Sequence, residues 1–199
     1  MKVIFLDHDG VICLSTEWGG RYKKQKKWGG RKLSMTSREI PLKYRFDNFN
    51  KKALKVLNEI LEETGAEIVV SSDWKHHASL EQLGEYYEMQ GIIKKPIAYT
   101  PNLYECNWYN AGTFVWAPKW DLEQTRAIEI KQYLIDHPEI THWVAVDDLN
   151  MGAPYTDPDW GDMDRDWGLT NFVLTPKSRE GIKQSGIKES ILKFLGNGN

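Results

Sequence analysis

Three short apolar runs in this chain each end in residues that could act together. Val3 to Leu6 leads into Asp7-His8-Asp9-Gly10, Glu67 to Val70 into Ser71-Ser72-Asp73-Trp74, and Trp143 to Val146 into Asp147-Asp148. Four carboxylates gathered at one edge (Asp7, Asp9, Asp147, Asp148) would repel one another unless a cation neutralised them. Oxygen ligands with no His/Cys set nearby select Mg²⁺ over zinc. Mg²⁺ held by a few carboxylates and completed by water and phosphate oxygens is the usual arrangement for phosphoryl transfer. The chain has neither a G-x-x-x-x-G-K-[ST] nor a G-x-G-x-x-G loop. Nucleotide-driven kinase chemistry therefore lacks its phosphate cradle, and hydrolysis is the simpler outcome.

The elements that must position these groups are legible from periodicity. Val3 to Leu6 reads as a buried strand stopped by the carboxylates and Gly10. Lys51 to Thr64 places Ala53, Leu57, Ile60 and Leu61 on one helical face, with Gly65 as its stop. Further helices are predicted over Ala78 to Met89, from Asp121 to about Ile135, and over Ile187 to Leu195. Asp121 with Gln124 resembles a capping box. Further strands are predicted at Glu67 to Val70, within Ile92 to Ala98, at Trp143 to Val146 and at Phe172 to Leu174. Strands alternating with helices imply an α/β fold with a parallel sheet flanked by helices. In such sheets the ligand site lies beyond the carboxyl ends of the strands, where all of the groups above should converge.

A length of 199 residues fits one domain (1–199) with small insertions. Composition is 41% hydrophobic and 27% charged, and no apolar run is long enough to cross a bilayer, so no membrane role is expected. The first residues lack the apolar stretch of a signal peptide, and Cys13 and Cys106 form no disulfide or metal spacing; a reducing cytoplasm is expected. No obligate protein partner is evident. Residues 15–48 read as an inserted cap or arm, and residues 99–120 as an aromatic loop. The arm carries a ten-residue echo, Trp18-Gly-Gly-Arg21 and Trp28-Gly-Gly-Arg31. Arg21 to Lys32 holds seven basic side chains (Arg21, Lys23, Lys24, Lys26, Lys27, Arg31, Lys32) and no acid, while Asp157 to Asp166 holds five Asp and one Arg. Such segregation marks either a basic surface for an anionic partner or two segments that pair with each other.

The motifs together resemble the haloacid dehalogenase (HAD) superfamily of phosphatases. Val3-Ile-Phe-Leu-Asp7-His-Asp9-Gly10-Val11-Ile12 is similar to its first motif, Ile68-Val-Val-Ser71 to the second, and Val144-Ala-Val-Asp147-Asp148 to the fourth. The run from Phe49 to Trp74, with Arg126-Ala-Ile-Glu-Ile130 and His137 to Asp148, resembles a narrower branch. That branch holds small phage and bacterial domains akin to the phosphatase half of polynucleotide kinase-phosphatases and to HAD domains of RNA-repair proteins. The resemblance implies a Rossmann-like HAD core and Mg²⁺ as cofactor. It implies that Asp7 attacks phosphorus to form an aspartyl-phosphate and also binds the metal. Asp9 is implied as the acid/base, its backbone carbonyl reaching the metal. Ser71 is implied as donor to the transferring phosphoryl group, and Asp148, with Asp147 at least through water, as the rest of the metal shell. The third motif departs from the family's Lys: Arg126 fits its x-x-x-Ile-x-x-x-Leu setting, with Lys131 as the alternative. Lys75 stands where related sequences tend to carry Arg.

Around this set, Gly10, Ser72 and Lys75 are candidate substrate contacts, and Ser72 is an alternative donor to Ser71. His8 is expected to pack or point away. His76 and His77 should open a helix beside the site. Lys23, Lys24, Lys26 and Lys27 with Trp28 are candidates for gripping a phosphate chain while a ring stacks on a base, on a segment that the Gly-Gly pairs would leave mobile. The Trp108 to Trp120 stretch is either cap packing or a stacking surface. The substrate class expected is a phosphorylated DNA or RNA end or a nucleotide. A small-metabolite phosphatase and a non-catalytic nucleic-acid-binding module of HAD fold are the competing readings; retention of both Asp7 and Asp9 speaks against the last.

Overall fold

The computed structural model describes residues 1–29, 40–103, 122–152 and 168–196. Five parallel strands form one sheet in the order β3-β2-β1-β4-β5, with β1 at Lys2–Leu6, β2 at Glu67–Val70, β3 at Pro96–Tyr99, β4 at His142–Asp147 and β5 at Phe172–Leu174. The fold is the expected α/β Rossmann-like arrangement. Side-chain alternation along the strands divides the interior into two layers. Ile4, Leu6, Ile68, Val70, Val144 and Val146 face a core shared with helices α3 (Lys51–Thr64), α4 (Leu80–Gln90) and α6 (Ile187–Phe194). Val3, Phe5, Val69 and Ala145 face Ala127, Ile130 and Tyr133 of α5 (Leu122–Asp136).

The chain builds outward from β1 to β2 and β3, then returns to the other side of β1 for β4 and β5. The connection reverses between β1 and β4, so a crevice opens between the ends of these two strands. Leu6 pairs with Val146 across it. Asp7 and Asp147 are thereby brought side by side.

Helix ends are set by the residues that periodicity marks. Asn50 caps α3 by accepting from the Lys52 and Ala53 N–H groups, and Gly65 closes the helix in the left-handed region at φ 68°. Ser79 and Gln82 form a reciprocal capping box at the start of α4. That helix therefore starts two residues later than expected, and Asp73–His76 instead make a single 3₁₀ turn. β3 begins at Pro96 because Ile92, directly after the Gly91 stop, is buried in the core as a loop residue.

The largest difference from expectation lies in the basic arm. Gly20–Gly29 form a helix, α1, and Leu42–Arg45 a short turn of helix, α2. The α1 segment has no apolar stripe and its signal is all charge, so tertiary bonds define it. Asp47 accepts from the Gly19 and Arg21 backbone N–H groups and pairs with the Arg21 guanidinium, while Gln25 donates to the Tyr44 carbonyl. Lys23 to Trp28 thus sit on a helix rather than on a glycine-hinged segment. The aromatic loop from residue 104, Cys106, Asp121 and the acidic run Asp157 to Asp166 lie outside the described residues, and so does the pairing considered for that run. None of the described helices is long and apolar enough to cross a membrane.

Candidate active site

Asp7 follows the last residue of β1 and is buried; its N–H donates to the Val146 carbonyl at 3.1 Å, tying it to β4. The next residues turn sharply around the His8 carbonyl, which accepts from the N–H groups of Val11, Ile12 and Cys13 at 3.2, 3.0 and 2.7 Å. Gly10 makes the turn at φ 73°, in the region that L side chains rarely adopt. The turn sends His8 inward and Asp9 toward the crevice. His8 is fully buried, its Nε2 2.6 Å from the Tyr87 hydroxyl, and it packs against Trp74 and Phe49. Burial, followed by the Arg126 charge, lowers its pKa to about 3, so it is neutral and structural.

Asp7, Asp147 and Asp148 each offer a carboxylate oxygen, all within 4.8 Å of one another. This group could hold a metal ion. The donors are all carboxylate oxygens and two of the three residues are buried, which suits a hard divalent cation. Without a cation the crowding shows in the acidities. Asp7 is held well above the carboxylate range by burial and then by the Asp147 charge. Asp147 is pushed up to about 6, chiefly by burial, and burial also raises Asp148.

Arg126 is the cation inside this group. From α5 its Nη1 reaches Asp147 Oδ2 at 2.9 Å and Asp7 Oδ1 at 3.2 Å, while Nη2 lies 3.3 Å from Asp73 Oδ1. Burial works against its charge, but the three carboxylates outweigh that and raise its pKa. Lys131 stands five positions further along the same helix, about 140° around its axis, and is half-buried. Of the two candidates for the third motif, the structure brings Arg126 against Asp7.

After β2, Ser71 is fixed by its N–H donating to the Leu6 carbonyl, and its Oγ is buried with no hydrogen-bond partner among the described residues. Ser72 has other work: its side chain caps the 3₁₀ turn by accepting from the Trp74 N–H, and its hydrogen bond to Asp7 partly offsets the raised pKa there. Asp9 stands apart from the three-carboxylate group. Its Oδ2 accepts from the Trp74 indole N–H at 2.9 Å. Burial raises its pKa, and the bonds from Trp74 and Cys13 oppose the rise.

Lys75, expected to face substrate, is turned into the protein. Its ammonium lies 2.6 Å from Glu129 Oε2 and also donates to Thr100 Oγ1 and the Pro101 carbonyl; the two charged side chains are only 6% and 7% exposed. Asp73–Arg126 and Lys75–Glu129 are thus two ion pairs of opposite polarity between one 3₁₀ turn and one face of α5. They were not apparent from the sequence, because i,i+3 spacing of Arg126 and Glu129 gains meaning only once the turn is laid beside the helix. His76 lies in the 3₁₀ turn and His77 ends it.

Residues 3–183 match the family described as the HAD domain in Swiss Army Knife RNA repair proteins. The chain belongs to this family. No curated protein and no solved structure gives a significant match. The D-x-D-G turn, Ser71 and the paired aspartates of this HAD domain stand at the ends of β1, β2 and β4, the three central strands of the sheet.

Among the arm residues of this HAD domain, Lys23, Lys26 and Lys27 are exposed on α1. Lys24 donates to Asn48 Oδ1 at 2.8 Å and lies 6.0 Å from the Tyr86 ring centroid. Trp28 stacks on Tyr44 with centroids 5.7 Å apart and keeps 45% of its surface exposed. Arg21, beside Asp47, is close enough to influence Asp9 electrostatically, which puts the start of α1 near the acid/base candidate.

Proposed function

We propose that this HAD domain is a Mg²⁺-dependent phosphohydrolase that works through an aspartyl-phosphate on Asp7, with phosphorylated nucleic-acid ends as substrate. The observation that carries the reading is the setting of Asp7: a buried carboxylate at the β1–β4 crevice, ion-paired with Arg126 and gathered with Asp147 and Asp148. A carboxylate that merely capped a turn would need none of these neighbours.

In this reading the Asp7 carboxylate attacks phosphorus while the bond to the leaving oxygen breaks. Asp9 gives that oxygen a proton, so the alcohol departs neutral and Asp9 is left ionised. Water then attacks the phosphorus of the aspartyl-phosphate, Asp9 takes a proton from that water, and the bond from phosphorus to Asp7 breaks, releasing inorganic phosphate and regenerating Asp7. Ser71, whose hydroxyl oxygen has no hydrogen-bond partner among the described residues, donates to the transferring group. Arg126 holds Asp7 in place and stabilises the charge on the phosphoryl oxygens. Asp7 and Asp148 would hold the metal, with the Asp9 carbonyl and, at least through water, Asp147, which accepts from Arg126 and from the Leu149 N–H at 2.8 Å. When bound, Mg²⁺ neutralises charge on the phosphoryl oxygens.

The substrate class rests on the α1 cations and the exposed Trp28 face, and on membership of a family described from RNA repair proteins. The test is a phosphatase screen in Mg²⁺ that sets 3′- and 5′-phosphorylated oligonucleotides beside nucleotides and sugar phosphates. KM for an oligonucleotide should rise more steeply with salt than KM for a mononucleotide, and replacing Lys23, Lys26 and Lys27 with Ala should flatten that rise. Equal, mild salt dependence with no preference for oligonucleotides would leave a small-metabolite phosphatase.

A further inference from the structure

The acid/base carboxylate must do more than sit near the leaving oxygen: it must present its proton from the correct oxygen. Asp9 lies on the turn that Gly10 makes, and its side chain is outside the three-carboxylate group. Two side-chain donors reach it, the Cys13 thiol and the Trp74 indole, whose Nε1 lies 2.9 Å from Oδ2. Trp74 is 1% exposed and cannot swing away. Its ring stacks on Phe46 with centroids 4.6 Å apart and planes 13° apart, and on Phe49 at 5.4 Å and 21°, with His8 against it at 4.7 Å.

We propose that Trp74 is the positioning residue of the acid/base, fixing the direction in which the Asp9 carboxyl group faces. The inference rests on the reading of Asp9 as the acid. An indole N–H is a donor only. It bonds best to the carbonyl-type oxygen of a protonated carboxyl, since a hydroxyl oxygen is the poorer acceptor. The bond at Oδ2 therefore fixes the orientation of the carboxyl group, and with it the direction in which its proton is presented. After the proton is delivered the same N–H stabilises the carboxylate. The aromatic stack gives the donor a fixed direction, so the 3₁₀ turn after β2 acts on the turn after β1 through a rigid side chain.

The readout is sensitivity to the leaving group, measured as kcat/KM over a series of aryl and alkyl phosphate monoesters. An acid matters most where the leaving oxygen is strongly basic. Trp74→Phe keeps most of the ring and loses the donor. It should lose about tenfold on alkyl esters, the worth of one hydrogen bond to a charged group, and under about twofold on p-nitrophenyl phosphate. Asp9→Asn should show the same pattern more strongly, and adding Trp74→Phe to Asp9→Asn should cost alkyl esters nothing further. Should Trp74→Phe fail to fold, Trp74→Tyr, which also lacks the indole donor, carries the same comparison. In ¹⁵N-tryptophan-labelled protein, one indole cross-peak should move when Asp9 is changed to Ala. Equal losses on both ester classes, a full further loss in the Asp9→Asn background, or no shifted indole peak would each overturn the role given to Trp74. If Asp9→Asn itself lowers both classes equally, the reading of Asp9 as the acid fails separately.

Discussion

Asp148 occupies the space that a side chain at Gly10 would fill: a Cβ placed there would collide with its carboxylate. Gly10 also sits at φ 73°, so any substitution adds backbone strain of about 1 kcal/mol to the steric conflict. The glycine of the D-x-D-G turn thus clears the way for a proposed metal ligand on another strand. Gly10→Ala should raise the Mg²⁺ concentration for half-maximal activity at least about tenfold, the cost of about 1.4 kcal/mol in ligand placement. A Mg²⁺ titration identical to wild type would show that Asp148 is not positioned by this contact.

Arg126 and Lys131 make a direct comparison. Arg126 contacts Asp7, Asp73 and Asp147, whereas Lys131 points to another sector of α5. Arg126→Ala should lower kcat by about two orders of magnitude or more, as removal of a transition-state donor does, and Lys131→Ala by less than about threefold. The reverse ranking would transfer the role to Lys131.

Lys75 and Glu129 form a pair with both partners almost fully buried. Removing one charge leaves the other unpaired inside the protein, so Lys75→Met should cost about 3 kcal/mol of unfolding free energy in urea, and Lys75→Met with Glu129→Leu much less. Because the pair clamps α5 one turn from Arg126, the single variant should also lower kcat with little change in KM. Equal stability of the single and double variants would remove the pair from the clamp.

Much of this site was legible in the sequence, for a physical reason. Asp7, Ser71 and Asp147 each follow an apolar run, and a parallel sheet sends such positions to one edge. Strands at Glu67–Val70 and Phe172–Leu174 and the helix Lys51–Thr64 match the residues expected, since burial and local pattern agree there. What stayed hidden depends on partners remote in sequence. Helix α1 is defined by Asp47 and Tyr44, and an indole donor for Asp9 and a carboxylate for Lys75 are 65 and 54 residues distant. No local pattern announces such bonds.

The contribution of the acidic cluster to stability without metal should fall as pH rises, opposed over the same range by His8, whose pKa burial lowers to about 3. The carboxyl of Asp147 titrates at about 6 in the folded protein, and those of Asp7 and Asp148 are raised as well, so the folded state binds protons more tightly than the unfolded chain. Their contribution is fully present below the unfolded carboxylate range near pH 4 and is lost as pH rises through about 6. In EDTA, the Tm of the wild type relative to that of Asp147→Asn should drop across that window, which cancels the His8 contribution common to both. Saturating Mg²⁺ should remove the drop, since a bound cation favours the ionised carboxylates. A wild-type Tm that rises relative to Asp147→Asn through pH 6 in EDTA would contradict the electrostatic account of the cluster.

The central claim is that Asp7 carries the phosphoryl group. The most direct measurement is a rapid acid quench of Asp9→Asn with a ³²P-labelled phosphate ester in Mg²⁺, followed by mapping of the labelled peptide. The account predicts a stoichiometric, hydroxylamine-sensitive phosphate on Asp7, absent from Asp7→Asn. Wild-type turnover by a well-folded Asp7→Asn protein, or label on any other residue, would contradict it.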